Sequence, residues 1–388
     1  MRDFVVKSVA DLRPSGIRRF FDMAASVKDA IGLSLGEPDF DTPWHISEEA
    51  IYAIENGYTF YTSNAGLAEL RDEICIYLKR KYGCDYQRNE VIVTVGGSEG
   101  IDLSFRACLG PGDEIIIADP GYVSYEPCAT LTGAKVVKYQ LLEEDEFKIV
   151  PEKLEKLITE RTKAILINYP NNPTGAVMNA KDLERLAEVC IKYDLLVISD
   201  EIYSELTYDG VHSSIAAIPG MKERTLLING FSKAFAMTGW RLGYLCGPES
   251  VISQIYKIHQ YGIMCASTIS QYAGLEALRH GDDDVELMRN EYSVRRDFVL
   301  KRLIEMGIPC YYPKGAFYCF LNIKQFGMSS EEFALRLLEK EKVILVPGNA
   351  FGDSGEGFLR LSYAYSVDNL KTALDRLERF VSALRKDL

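Results

Sequence analysis

Short apolar, β-branched runs that stop abruptly at polar residues, each followed by a helical pattern, constrain this chain more than any other feature. EVIVTVGGSEG (90–100), DEIIIADPGY (113–122), KAILINYPNNPTG (163–175), LLVISDEIY (195–203), RTLLINGFSK (224–233) and RLGYLCG (241–247) all read this way. Amphipathic stretches such as AKDLERLAEVCIKY (180–193) lie between them. Runs that are apolar along their whole length are buried on both faces, the habit of a mostly parallel sheet covered by helices. The expected fold class is therefore α/β. In such sheets ligands sit beyond the carboxyl ends of the strands, so the polar residues that close each run are the candidates for chemistry.

This regime holds from about residue 45 to 284 and then changes. Residues 285–306 (VELMRNEYSVRRDFVLKRLIEM) predict one long charged helix. GAFYCFLNI (315–323), KVILVPG (342–348) and GFLRLSYA (357–364) read as short strands, with a last helix near 367–385. A chain of 388 residues is long for one core. We expect a large domain over 45–284 and a smaller α+β domain built from 1–44 and 285–388.

Composition narrows the function classes. Asp and Glu number 56 against 44 Lys and Arg, a net charge of −12, which repels a nucleic-acid backbone. None of the nine cysteines forms a C-x-x-C pair and the four histidines are scattered, so no metal centre is expected. The N-terminal apolar stretch is short and interrupted by Lys7 and Asp11, unlike a secretory signal. No apolar run is long enough to span a bilayer. The expectation is a cytoplasmic protein with neither nucleic-acid nor membrane partners.

Four strand-end clusters carry the chemistry. Lys233 follows an apolar strand, where a desolvated amine can act as a Schiff-base nucleophile, although an isolated Ser-Lys pair is usually just surface. Arg241, eight residues on in AMTGWRLG, adds a guanidinium suited to phosphate. Asp200 ends another strand; such carboxylates commonly cap a turn, but one here can also pair with a protonated ring nitrogen. Tyr203 lies three residues further, and NYPNNPTG (168–175) offers the Asn172 amide from a rigid turn. GGSEG (96–100) is neither a P-loop nor GxGxxG. Its main-chain amides at Gly97, Ser98 and Glu99, with the Ser98 hydroxyl, can cradle a single phosphate.

Together these pieces resemble the class I/II aminotransferases of fold type I, which use pyridoxal 5′-phosphate. SKAFAMTGWRLG (232–243) carries the resemblance most specifically, joined by LGEPDFDTP (35–43), YTSNAGLAELR (61–71), GGSEG, NNPTG, SDEIY and GFLRLSYA. The resemblance spans essentially the whole chain. It implies a mixed, mostly parallel seven-stranded sheet and makes Lys233 the Schiff-base lysine. Asp200 would pair with the pyridine nitrogen, Tyr203 and Asn172 with the phenolic oxygen, and Tyr122 would stack on the ring. Gly97, Ser98, Glu99 (through its amide) and Arg241 would hold the phosphate. Tyr61 would reach the phosphate of a second subunit, implying a homodimer with shared sites. Arg360 would clamp the substrate carboxylate, with Gly36 closing over it.

One departure concerns Gly230, where many members have a phosphate-binding serine; Ser232 is the available substitute. The implied reaction moves an amino group from an L-amino acid to a 2-oxo acid, expected to be 2-oxoglutarate, with ping-pong kinetics. The same fold also supports carbon–sulfur β-elimination, which the resemblance leaves open. A non-catalytic regulatory protein would need an added helix-turn-helix module, unexpected with about 30 residues before GEPDF.

Overall fold

The computed structural model describes residues 4–12, 14 and 27–387; residues 1–3, 13 and 15–26 of the N-terminal segment, and residue 388, lie outside the described residues. Its strands are β1 (Ile31–Gly32), β2 (Val91–Thr94), β3 (Glu114–Asp119), β4 (Lys135–Gln140), β5 (Thr162–Asn168) and β6 (Leu196–Asp200). They continue with β7 (Thr225–Gly230), β8 (Gly243–Cys246), β9 (Tyr318–Asn322), β10 (Val343–Ile344), β11 (Val346–Pro347) and β12 (Phe358–Ser362). Seven of them form one sheet in the order β2-β8-β7-β6-β5-β3-β4. Neighbouring strands from β7 to β4 are parallel, and β8 runs antiparallel to both β7 and β2. The chain is thus α/β, with the mostly parallel sheet that the apolar runs imply and the mixed seven strands that the resemblance implies.

Alternation along the strands divides the core. Ile116, Ile165, Ile167 and Val197 point into one apolar layer. Ile115, Ile117, Leu166, Ile198 and Ile228 point into the other. Helices seal both faces, and local chemistry fixes their ends. Helix Ala180–Lys192 opens on a capping box, in which Asn179 Oδ1 accepts from the Asp182 amide at 3.0 Å and Asp182 Oδ2 from the Asn179 amide at 3.1 Å.

The long charged helix begins slightly earlier than its sequence pattern, at Asp282, and runs to Glu305. Its 24 residues span about 36 Å. Val285 is buried with Leu278 beside the large sheet, whereas Val299 and Leu303 belong to a C-terminal core with Phe317 and Leu374. In that C-terminal region β11, β12 and β9 form an antiparallel sheet, and β1 pairs in parallel with β10. KVILVPG, which reads as one strand, is divided: Val343–Ile344 pairs with β1 and Val346–Pro347 with β12, with fully buried Leu345 between them. A continuous apolar pattern conceals such a switch, because both halves are equally buried.

Candidate active site

Strands β5 and β6 end side by side, with Asn168 in register with Asp200. The Asn168 amide donates to the Asp200 carbonyl at 2.9 Å, and its Oδ1 accepts from the Asn172 N–H at 3.1 Å. This folds the asparagine-rich loop back over the strand ends. Asn171 Oδ1 accepts from both the N–H and the hydroxyl of Thr174, at 3.2 and 2.7 Å. The loop is thus an internally bonded turn whose polar groups leave Asn172 facing the cleft.

After β7 the chain turns through Lys233 to Arg241 and returns as β8, passing positive φ at Ala236 (52°) and Arg241 (51°). Lys233 Nζ donates to the Gly36 carbonyl at 2.5 Å and lies 6.0 and 5.9 Å from the ring centres of Tyr203 and Phe317. Burial among these groups lowers the amine to about 8; Arg360 and Arg241 act in the same direction, Glu37 and Asp200 against it. Reductive methylation of Lys233 in ligand-free protein should therefore show a midpoint near pH 8, well below the ordinary lysine value of 10.5. A midpoint at the ordinary value would refute the desolvated setting.

Asp200 is buried, with its Oδ2 accepting from the Tyr125 hydroxyl at 2.6 Å and its Oδ1 from the Ile202 N–H at 3.1 Å. Burial nevertheless raises its carboxyl to about 6, because these two hydrogen bonds offset only part of the desolvation. Such a carboxylate is suited to a cationic neighbour.

GGSEG opens helix Gly96–Cys108. The first N–H groups of a helix have no intrahelical acceptor and favour an anion. Gly96 has φ 73°, and a Cβ there would stand 2.7 Å from Arg241 Nη2, so glycine lets the guanidinium lie against the turn. The Glu99 side chain points away from the cleft: it accepts from the Val95 N–H at 2.5 Å and faces His259 at 2.7 Å. Gly230 has a steric reason for not being serine. A Cβ would approach Gly243 Cα and the Leu242 carbonyl at 3.0 Å, within the close β7–β8 pairing.

Arg360 rises from β12 and is buried. Its Nη1 donates to Asn172 Oδ1 at 2.9 Å and its Nη2 to the Ser34 carbonyl at 2.6 Å. The guanidinium lies 4.4 Å from the Tyr318 ring centre and 4.7 Å from that of Phe351, while Nε has no hydrogen-bond partner among the described residues. A buried donor without an acceptor is costly, so this end of the cleft is built for an anion.

A single cleft of about 560 Å³ gathers Lys233, Asp200, Tyr203, Tyr122, Asn172, Ser232, Gly97, Ser98, Arg241, Arg360 and Gly36. Two sequence candidates fall outside its lining. The Glu99 side chain is turned to Val95 and His259, and Tyr61 is 80% exposed on the surface. The sequence reading missed Tyr125, which supports Asp200, and Tyr318, whose hydroxyl meets that of Tyr203 at 2.7 Å. A Cβ on Gly36 would run into the Tyr318 hydroxyl, so Tyr318 also fixes how closely that loop approaches. Neither tyrosine closes a strand, and only the folded chain places them.

Known proteins share both sequence and shape. Residues 28–377 match the family model for aminotransferase class I and II. The aspartate aminotransferase of Pyrococcus abyssi is 47% identical over 95% of this chain and 96% of its own length. The aromatic-amino-acid aminotransferase 2 of Thermococcus litoralis is 45% identical, with the same coverage of 95% and 96%. The crystal structure of the aromatic aminotransferase from Pyrococcus horikoshii superposes with a TM-score of 0.91 at 44% identity, covering 96% of this chain and 100% of that one. With a lysine, a carboxylate and two arginines converging on one cleft, these likenesses establish that the chain belongs to aminotransferase class I and II and is an amino-group-transferring enzyme.

Proposed function

We propose that Lys233 carries pyridoxal 5′-phosphate and that the enzyme moves the amino group of an L-amino acid to a 2-oxo acid, with 2-oxoglutarate as the usual acceptor. The observation that carries this reading is the distribution of charge in one cleft. A desolvated lysine shares it with a buried carboxylate, an arginine beside a helix-start turn, and a second buried arginine. The residues fit the group. Arg241, Ser98, Ser232 and the amides of Gly97 and Glu99 suit a phosphate. Asp200, raised by burial, suits a protonated ring nitrogen. Tyr203 and Asn172 suit the phenolic oxygen, and Tyr122 covers the ring. When bound, the cofactor supplies an electron sink for the pair left behind as the substrate Cα loses its proton.

The chain's own residues provide the rest. Arg360 takes the substrate carboxylate, and the Asn172 side chain bonded to it keeps the guanidinium oriented. The Lys233 amine is the general base at Cα, with an affinity for protons near the operating pH. Gly36, in contact with Lys233 Nζ, closes the cleft over the substrate. Departure of the first 2-oxo acid before the second enters gives ping-pong kinetics.

Arg360→Ala should raise KM for both amino acid and 2-oxo acid about a hundredfold, since truncating one side of a buried, hydrogen-bonded charge pair is expensive. The effect on kcat should be smaller. Steady-state kinetics with unchanged KM would remove the clamp assignment.

We further propose a homodimer in which Tyr61 reaches the partner's phosphate. Ile51, Tyr52, Ile54, Tyr58, Phe60 and Tyr61 are exposed, as are Tyr261, Ile263 and Met264. The Asn64 side chain joins the two segments by donating to the Met264 carbonyl at 2.8 Å. An apolar surface of this kind favours burial against a second subunit. We also propose the division into 45–284 and 1–44 with 285–388, supported by a core drawn mostly from residues 288–384, which Tyr203, Leu206 and Ala236 join from the large domain. Among the described residues no helix is long and apolar enough to cross a membrane, and we place the enzyme in the cytoplasm.

A further inference from the structure

Behind the GGSEG turn lies a buried pair that the proposed chemistry leaves unused. His259, with no exposed side chain, stands in the last turn of helix Glu249–Gly262. Its Nδ1 is 2.7 Å from Glu99 Oε1, and its Nε2 is 2.9 Å from the Asn64 carbonyl. The second Glu99 oxygen accepts from the Val95 N–H at 2.5 Å. The Asn64 carbonyl only accepts, so Nε2 carries a proton toward it; a second proton lies between Nδ1 and Glu99. Every polar atom of the pair is then satisfied, and three separate segments are tied together: the turn after β2, helix Glu249–Gly262, and the loop that follows Tyr61.

The geometry matters because the turn has few internal constraints. Gly96 takes φ 73°, Gly97 carries no side chain, and the first helical amides have no acceptors of their own. An anion site made of backbone amides binds well only if their directions are fixed in advance. The Glu99 carboxylate supplies that constraint on the Val95 amide, and His259 fixes the carboxylate.

We propose that Glu99 and His259 are positioning residues that hold the phosphate-binding turn in its receiving conformation. This rests on the reading of the cleft as a pyridoxal phosphate site. The side chains of the pair touch neither cofactor nor substrate in that reading, so their effect appears in binding of the phosphate and not of the ring.

The test compares pyridoxal 5′-phosphate with pyridoxal, which lacks the phosphate, by titrating the full-length protein after removal of cofactor. Glu99→Ala and His259→Ala should each weaken pyridoxal phosphate about tenfold or more, the scale of losing a charge-assisted hydrogen bond. Affinity for pyridoxal should stay unchanged. Glu99→Gln should retain both affinities: its amide oxygen accepts from Val95, and its N–H donates to an His259 Nδ1 freed of its proton. Should the alanine variants fail to fold, His259→Gln, which keeps the bond to Asn64 and loses that to Glu99, carries the same expectation. Equal weakening of both ligands, or of neither, would overturn the proposal. Wild-type protein that binds pyridoxal phosphate no better than pyridoxal would instead remove the phosphate site itself, and the proposal with it.

Discussion

Lys233→Ala should abolish amino-group transfer, reducing kcat by about four orders of magnitude or more. The size follows from two losses at once. The variant has no amine to hold the cofactor covalently, and no base at the substrate Cα. The charged groups that act on Nζ are Arg360, Arg241, Glu37 and Asp200, and Asp200 is already engaged by the Tyr125 hydroxyl and the Ile202 N–H. Both arginines lack an acceptor for a proton. Pre-steady-state kinetics with saturating cofactor would separate the two losses, since binding through Arg241 and the helix-start turn should survive. Turnover within tenfold of wild type would place the chemistry elsewhere.

Asp200→Asn should lower kcat by roughly 10²–10³-fold, the cost of removing one preorganised electrostatic partner from a dry site. The asparagine keeps the shape: its Oδ1 can still accept from the Ile202 N–H, and its side-chain N–H can donate to the Tyr125 hydroxyl, the two groups that hydrogen-bond the carboxylate at 3.1 and 2.6 Å. What it loses is negative charge. A pH signature accompanies the loss. With the carboxyl raised to about 6 by burial, cofactor affinity of the wild type should fall as pH drops through about 6, because protonation removes the charge that a cationic ring needs. A bound cation would pull that midpoint lower, so the fall in the complex should occur below the midpoint for free protein. In Asp200→Asn this part of the profile should be flat. An unchanged profile would show that another group carries it.

The fold was legible because most of it is written in local pattern. Strands β5, β6 and β7 are buried along their lengths, apart from an exposed Lys163 and a half-buried Leu196, and turn residues bound them. The polar residues at their ends met in one cleft, since parallel neighbours bring their carboxyl ends together. Pattern fails where tertiary geometry makes the choice. Whether KVILVPG is one strand or two depends on which partners lie alongside it. Tyr125 sits in a short helix, and Tyr318 in a strand of another sheet. Their roles arise from bonds to Asp200 and Tyr203 across 75 and 115 residues of sequence. His259 and Glu99 are separated by 160 residues and belong to two different helices. Gly230 illustrates the converse. Its departure from the resembled pattern looks like a lost phosphate ligand, yet the β7–β8 contact leaves little room for a side chain.

The most direct test of amino-group transfer is a half-reaction. Enzyme loaded with pyridoxal phosphate is mixed with an excess of one ¹⁵N-labelled L-amino acid and no acceptor, and 2-oxo acid and ammonia are both followed. Transamination predicts a stoichiometric burst of 2-oxo acid that stops without ammonia, resumes when 2-oxoglutarate is added, and leaves the label in glutamate. Continuous release of ammonia with pyruvate from a cysteine conjugate, or no burst with any amino acid, would contradict it.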